Sequence, residues 1–252
     1  MRGIHSLDMS VGTRHSTRFS GYVIVVAYHD ASNVTVRFED TGTIVSGLTA
    51  GNIRIGKVGD PLKRSVYGIG YNGIGPYNTS HHMKAYNRWT GILLRVYASQ
   101  NLTVRENYKD CSVIPEWHNF QNFAEWFYNQ PFHSELNYEV DKDLKILGNK
   151  VYGPNTCLLI PKKLNCLIGV SSRYNRIANG VSKRYESSRY LVRLQVSGIR
   201  KIIGLFTTLE EASLAYTEAH RIAVLQMGQQ MYQENKILHS TLEFIKRNYN
   251  DE

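Results

Sequence analysis

Hydrophobic and polar positions alternate like β-strands between about residues 22 and 54. An apolar run, YVIVVAY, begins at Tyr22 and is followed by VTVRFED and TIVSGLTAGNIRI, with Gly, Asn and Asp between the runs. Short β-rich runs separated by turn residues predict a small curled sheet or barrel. Its core is predicted to consist of Tyr22, Ile24, Val26, Val34, Val36 and Phe38.

Apolar residues recur at helical spacing in the middle of the chain. The stretch MKAYNRWTGILLRVYAS, from Met83, predicts one amphipathic helix, and PEWHNFQNFAEWFYNQ, from Pro115, predicts a second. Aromatic residues at this spacing favour core packing over stacking on bases. The two buried stripes are predicted to contain Tyr86, Trp89, Ile92, Leu93 and Val96, and Trp117, Phe120, Phe123, Ala124 and Phe127.

The C-terminal third alternates first and then turns helical. RYLVRLQV and IRKIIGLF flank the turn residues SG, and the long helical pattern TTLEEASLAYTEAHRIAVLQMGQQM follows. Thr208 and Glu211 have the spacing of a capping box at the start of that helix. We therefore expect a sheet packed on a helix, with a further helix closing the chain.

These patterns predict an α+β fold built in parts. The segment GKVGDPLK marks the first boundary, and the start of the chain, which has no apolar core, is interpreted as a loose arm rather than a secretory signal. The predicted parts are an arm at 1–20, a small β-barrel-like module at 21–62, a helical and hairpin module at 63–166, a sheet-and-helix domain at 167–235 and a C-terminal helix at 236–252.

A formal GxGxxG pattern occurs at Gly68, Gly70 and Gly73. A dinucleotide site requires a helix directly after the last glycine. Here another Gly and a Pro follow, so a glycine-rich hairpin is the better interpretation.

The cysteines, the histidines and the short apolar runs argue against several classes of protein. The three cysteines form no CxxC pair, which argues against a disulfide framework and a thiolate zinc site and suits a reducing cytoplasm. His118 and the pair His81-His82 lack a second ligand set and are interpreted as surface residues. The longest apolar run, seven residues, is too short for a membrane span, so no membrane partner is expected.

Positive charge is concentrated near the C-terminal strands. Eight basic residues and only Glu186 as an acid lie between Arg173 and Lys201, which gives this stretch +7 of the chain's formal +9. By alternation, one face of the second strand presents Arg189, Leu191, Arg193 and Gln195. Such a face can neutralise phosphates and place donors against base edges of duplex DNA. A solvated basic face, or RNA, is the alternative.

The segment IGV…RYLVRLQVSGIRKIIGLFTTLEEASLAYTEA resembles the plant ethylene-response-factor (APETALA-two) DNA-binding domain, with matching positions at Gly169-Val170, Gly204, Phe206 and Glu210-Glu211-Ala212. The resemblance implies three antiparallel strands on one helix, with the sheet in the major groove of double-stranded DNA. That family commonly has Arg where Ser171 stands and Trp where Ile202 stands, and NRIANGVSKRYESS is a long insertion, so the target sequence does not transfer. The implied DNA-facing residues are Ser171, Arg173, Arg189, Arg193, Gln195, Arg200 and Ile202, and the adjacent Lys201 is included among the nucleic-acid-binding residues.

A second resemblance covers the middle of the chain. The pattern AYNRWTGILLRVY…YKDCSVIPEWHNFQNFAEWF…EVDKD…GNKVYGPNTCLLIPKKLN looks like bacteriophage proteins of the HNH (homing) endonuclease group, and the N-terminal VTVRFEDTG and GKVGDPLKRSVYGIGY resemble the same group. It implies a ββα metal site for a hydrolase that cuts DNA with Mg²⁺ or Mn²⁺. Asp141 and Asn165 would be the metal ligands, and Lys142 stands at the position of the catalytic base.

The catalytic residues implied by this match are Asp141, Lys142 and Asp143, and they leave the activity open. A lysine ordinarily has a pKa of about 10.4 and is a poor base at neutral pH. Asp143, His133 or His118 are the alternatives for that role, and a metal-bound hydroxide is another. The non-catalytic alternative is that Asp141, Lys142 and Asp143 form a salt-bridged hairpin. Thr156 stands where the family's bracing Asn belongs, unless Asn155 or Asn149 takes its place.

Three functions are consistent with these observations. The first is a metal-dependent DNA nickase or endonuclease. The second is a non-catalytic DNA-binding or regulatory protein on a degenerate nuclease frame. The third is an interaction role in which the N-terminal module binds a host or virion protein. A phage origin would place the protein in the host cytoplasm.

Overall fold

The computed structural model describes residues 7–100, 102–169, 179–184 and 188–250, which form a mixture of helices and strands as the α+β prediction states. The chain divides into two compact units. One runs to Met83 and includes His118–Asn122, and the other contains Lys84–Trp117 and Phe123–Glu252. Within the described residues, no helix combines the length and apolar character needed to cross a membrane.

The first unit contains a four-stranded antiparallel sheet in which strands that follow one another in the chain are neighbours. Its strand Arg14–Ser16 pairs with Tyr22–Ile24, and Met9 is fully buried. The described part of segment 1–20 is therefore built into the module, and the prediction of a loose arm is wrong. The elements are β1 (Arg14–Ser16), β2 (Tyr22–Asp30), β3 (Asn33–Phe38), β4 (Ile44–Leu48) and helix α1 (Ala50–Arg54).

Strand β2 turns the opposite face to the core from the one predicted. Val23 and Val25 are fully buried, whereas Tyr22 is 43 % exposed and lies under the guanidinium of Arg14. An unbroken apolar run has no polar face, so alternation cannot say which side is buried. On β3 the prediction is confirmed, because Val34, Val36 and Phe38 are fully buried.

The glycine-rich segment is a braced loop. A single isolated bridge joins Val66 and Gly70, so this segment does not form the two paired strands of the predicted hairpin. The Gln121 Nε2 donates to the carbonyl oxygens of Asn72 (2.9 Å) and Tyr77 (3.0 Å). A Cβ on Gly73 would lie 2.0 Å from Asn119 Oδ1, so close packing requires this glycine. The next helix begins at Met83, away from the last glycine.

The helical stripes predicted for residues 83–128 are confirmed in their main positions. Trp89, Ile92 and Leu93 are buried, as are Trp117, Phe120, Phe123, Ala124 and Phe127. The Trp89 indole donates to Trp117 O at 2.6 Å, which satisfies its one polar atom. The elements are α2 (Met83–Leu93), a π-helical turn (Leu94–Ala98), α3 (Leu102–Tyr108), a 3₁₀ turn (Pro115–His118) and α4 (Phe120–Tyr128).

A ββα arrangement follows. The strand Tyr138–Asp141 (β6) pairs antiparallel with Leu158–Pro161 (β8), and the helix Lys162–Ile168 (α5) begins directly after β8. The predicted boundary at 166/167 falls inside α5. Strand β7 pairs in parallel with β5 instead. The elements are β5 (Ser112–Val113), β6 (Tyr138–Asp141), β7 (Val151–Tyr152), β8 (Leu158–Pro161) and α5 (Lys162–Ile168).

The C-terminal antiparallel sheet packs on a helix, as predicted. Strand β10 (Tyr190–Val196) lies between β11 (Ile199–Phe206) and β9 (Val181–Lys183). Thr208 and Glu211 form the predicted capping box at the start of α6. The first part of α6 packs Ala212 on Val181 and Val192, whereas its last turns share a core with α5 and α7. The elements are β9 (Val181–Lys183), β10 (Tyr190–Val196), β11 (Ile199–Phe206), α6 (Leu209–Gln233) and α7 (His239–Tyr249).

Candidate nucleic-acid interface and the Asp141 site

The first strand of the C-terminal sheet is β9, and it lies within the stretch that the resemblance treated as an insertion. Ser171 and Arg173, the predicted first-strand residues, lie outside the described residues. The string Gly-Val-Ser-x-Arg occurs twice, at 169–173 and 180–184. The second copy pairs with β10 through Val181–Lys183, and Arg184 N donates to Arg189 O at 2.8 Å. Ser182 and Arg184 therefore stand where the resemblance expected Ser171 and Arg173. The repeat itself was the signal that could have identified them.

The backbone conformation of Gly180 favours the second copy. Its φ is +67°, and a Cβ would lie 2.2 Å from ring atoms of Tyr216. Its carbonyl accepts from Arg193 N at 2.9 Å. Only glycine meets both conditions without displacing α6.

The strand register brings the predicted base-reading side chains together. Gln195 lies opposite Arg200, and Arg193 lies opposite Ile202. Cross-strand partners share a face and have Cβ atoms roughly 4.5–5.5 Å apart. A bulge between Val192 and Arg193 shifts the pairing on β11, and this shift puts Arg200 and Ile202 beside Arg193 and Gln195.

Three residues near the face of Arg193, Gln195 and Arg200 differ from it in burial, in the face they occupy or in their place relative to β10. Lys201 lies opposite the buried Leu194, so alternation directs it to the other face. Leu191 is only 6 % exposed, although it was expected to face outward. Arg189 is exposed immediately before β10.

A groove of about 1210 Å³ lies beside this face, within the second unit. Arg193, Gln195 and Arg200 line one part of it, and Lys162 and Lys163 of α5 line another. The lysines of α5 were not among the predicted binding residues. The groove gives the positive face a continuation toward the ββα segment.

Asp141 ends β6 and is 5 % exposed. Its Oδ1 accepts from Leu144 N at 2.7 Å and Asp143 N at 3.2 Å, so the carboxylate caps the turn that follows the strand. Burial raises the pKa of Asp141 to about 6, the hydrogen bond from Leu144 N opposes that rise, and the nearby charge of Asp143 adds to it.

Lys142 is turned inward and is 7 % exposed. Its Nζ donates to Asp143 Oδ1 at 2.5 Å and to Asn149 O at 3.0 Å. An ammonium held by a carboxylate and a carbonyl is a structural tie rather than a base facing substrate. Asp143, with a half-exposed side chain, is the partner of this tie.

Asn149 braces this turn, the role for which the resemblance expects an Asn at the position of Thr156. Its Nδ2 donates to Lys142 O (2.9 Å) and Val151 O (2.7 Å), and its Oδ1 accepts from Val151 N at 3.2 Å. The Thr156 hydroxyl adds a bond to Val151 O at 2.7 Å. The alternative that Asn149 substitutes for the bracing residue therefore agrees with this geometry, while Asn155 is exposed.

Helix α7 supports the same turn. Asn248 Nδ2 donates to Leu144 O at 2.8 Å, and Arg247 Nη2 donates to Lys145 O at 2.6 Å. Burial raises the pKa of Tyr249, and the charges of Asp141 and Asp143 raise it further. Burial likewise raises the pKa of the Cys157 thiol, to about 12. The Asp141 turn is thus enclosed by the chain's own groups.

The donor set at this turn does not fit a hydrolytic metal centre as it stands. One oxygen of Asp141 accepts two backbone hydrogen bonds, and Asn165 on α5 offers an uncharged amide. Among the described residues, no three His, Cys, Asp or Glu side chains are grouped to hold a metal ion. His133 bonds to Gln130 O through Nδ1. Mg²⁺ or Mn²⁺ stays a prediction from the resemblance.

Comparisons with known proteins found no match: no family model, curated protein or solved structure matches the chain.

Proposed function

We propose that this protein binds double-stranded DNA through the sheet β9–β11. The observation that carries the proposal is the register that sets Gln195 opposite Arg200 with Arg193 next to them on one face. Arg and Gln are the side chains that pair in bidentate fashion with guanine and adenine in the major groove. The excess positive charge of residues 173–201 supports phosphate contacts around them.

The groove supports a path for the DNA backbone beyond the base-reading face. Lys162 and Lys163 lie along it, together with Arg193 and Arg200. Lysine contacts to phosphates add affinity in a salt-dependent way without adding sequence preference. Duplex DNA would then extend from the sheet toward α5.

Binding affinity of the full chain for a duplex that it selects from a random-sequence pool, compared with an unrelated duplex, tests the proposal. Arg193→Ala and Arg200→Ala are expected to weaken binding roughly 5- to 150-fold, the effect of about 1–3 kcal/mol per bidentate contact. Lys201→Ala removes the same charge from the opposite face of the same strand and serves as the matched control. Equal effects of Arg200→Ala and Lys201→Ala, or binding that neither changes, would contradict a base-reading face.

Metal-dependent DNA cleavage is the second candidate function. The ββα order supports it, because Asp141 ends the first strand and Asn165 lies on the helix that follows. The inward Lys142 and the capped Asp141 favour binding without cleavage. We therefore place cleavage second.

Supercoiled plasmid separates the two candidates. The protein is incubated with plasmid in Mg²⁺ or Mn²⁺, beside an EDTA control and Asp141→Asn, which retains the hydrogen-bond acceptor that caps the turn. We expect intact plasmid with a gel shift. Nicking that disappears both in EDTA and in Asp141→Asn would establish the endonuclease instead.

A further inference from the structure

An isoleucine stands exposed among the cations of the base-reading face. Ile202 is 71 % exposed, and its cross-strand partner is Arg193. A single exposed apolar side chain is common on protein surfaces, but Ile202 lies on the same face as Arg193, Gln195 and Arg200, the side chains proposed to read bases. Its place suggests that Ile202 contacts an apolar group when the face is occupied.

The spacing of Ile202 from its neighbours on the sheet indicates which bases of duplex DNA it would contact. Residues two apart on a strand are roughly 6.6–6.8 Å apart, about two base-pair rises of duplex DNA. Arg200 and Ile202 are two apart on β11, and Gln195 and Arg193 lie opposite them. The four side chains therefore cover a patch of two to three base pairs.

We propose that Ile202 reads the 5-methyl group of a thymine next to the bases contacted by Arg193, Gln195 and Arg200. This inference rests on the proposed DNA binding. In the major groove, the thymine methyl is the apolar group among otherwise polar base edges, so it is the one that can bury against isoleucine. The preferred site would contain thymine at a fixed position.

A second copy of this chain is a poorer occupant of the same surface. Arg193 and Arg200 lie on this face beside Ile202, so two copies packed face to face would bring like charges together. Juxtaposed like charges oppose association. The two arginines instead complement the phosphates that flank a thymine.

The test removes the methyl group from DNA rather than from the protein. The full chain first selects its preferred duplex from a random pool, and each thymine of that duplex is then replaced singly by deoxyuridine. We expect one replacement to weaken binding of the unaltered protein about three- to fivefold, as expected for the burial of one methyl group. Ile202→Ala should bind the thymine and deoxyuridine duplexes equally.

Two further variants complete the experiment. Ile199→Ala changes an exposed isoleucine of the same strand that lies opposite Val196, on the other face, and should retain the response to deoxyuridine. Ile202→Val should retain part of it. Thermal unfolding of each variant establishes that it is folded.

The outcomes separate this inference from the proposed function. Binding that is weakened by Arg193→Ala but insensitive to every deoxyuridine would overturn the thymine contact alone. So would a selection without a preferred sequence, or equal responses in the unaltered protein and Ile202→Ala. Absence of DNA binding would overturn both proposals.

Discussion

Side chains that bond to the main chain organise the turn after β6. Asp141 caps its start, and Asn149 holds Lys142 O and Val151 O from the other end. In the sequence two acids flank a lysine, and the structure adds that Asp141 and Lys142 are buried. A motif that resembles an active site is therefore buried, and its hydrogen bonds hold the turn together.

The pH dependence of stability should report the burial of Asp141. Its folded pKa is about 6, against 3.8 for an ordinary aspartate, so between these values the folded state binds more protons than the unfolded state. The contribution of this residue is then present in full below pH 3.8 and is lost as the pH rises through about 6. Asp141→Asn cannot titrate. Its stability relative to the unaltered protein should rise by about 2–3 kcal/mol between pH 4 and pH 8.

Urea unfolding in EDTA at several pH values measures this difference. The exposed Asp110→Asn is the matched control for the loss of one carboxylate. A difference for Asp141→Asn that does not vary with pH would show that Asp141 is not buried as described.

Asn149→Ala tests the brace. It removes the donor to Lys142 O and to Val151 O, of which only the latter keeps a second donor, Thr156. We expect a loss of about 2 kcal/mol of unfolding free energy, because a carbonyl is left without its partner. The exposed Asn155→Ala should change stability little, and similar losses in both variants would count against the brace.

Strand β9 shows how an element depends on one backbone position. Three residues make a weak strand, and Gly180 anchors it by approaching Arg193 O and the Tyr216 ring. Helix α6, in contrast, carries its own capping box and a long run of helix formers. Local signals were therefore sufficient for α6, whereas β9 depended on pairing with a strand further along the chain.

Gly180→Ala should separate β9 from the helix. The added Cβ would meet Tyr216 at 2.2 Å and Arg193 O at 2.5 Å, in addition to the left-handed backbone cost. Gly198→Ala is the control, because Gly198 also has positive φ but has no atoms within 4 Å of its Cβ position. We expect about 1–2 kcal/mol for Gly198→Ala and a larger loss for Gly180→Ala in urea unfolding. Equal losses would show that backbone strain alone matters.

At the scale of the molecule, the C-terminal helix completes the core of the ββα segment. Leu242 and Ile245 of α7 share a cluster with Leu144, Ile160 and Leu164. The predicted parts 63–166, 167–235 and 236–252 thus contribute to one core. A helix added at the end of the chain helps to hold a turn about a hundred residues earlier.

Ending the chain after Leu238 should release that turn. We expect amide-exchange protection to fall in β6 and β8, because their core loses α7. Strands β2 and β3, in the first unit, are the internal control and should retain their protection. Ile245→Ala, at a fully buried position, should show the same direction with a loss of about 2–5 kcal/mol. Unchanged protection in β6 and β8 would contradict the shared core.

The sequence by itself determined the elements whose signals are local: the alternation of β3, the aromatic stripes around Trp89 and Phe123, and the capped helix α6. It also placed Arg193, Gln195 and Arg200 on strands that pair. Tertiary structure alone decided which face of β2 is buried, which Gly-Val pair begins the C-terminal sheet, and that Asp141 and Lys142 lie inside. These outcomes depend on partners distant in sequence, such as Asn248 on Leu144 O, and on burial, which side-chain spacing does not specify.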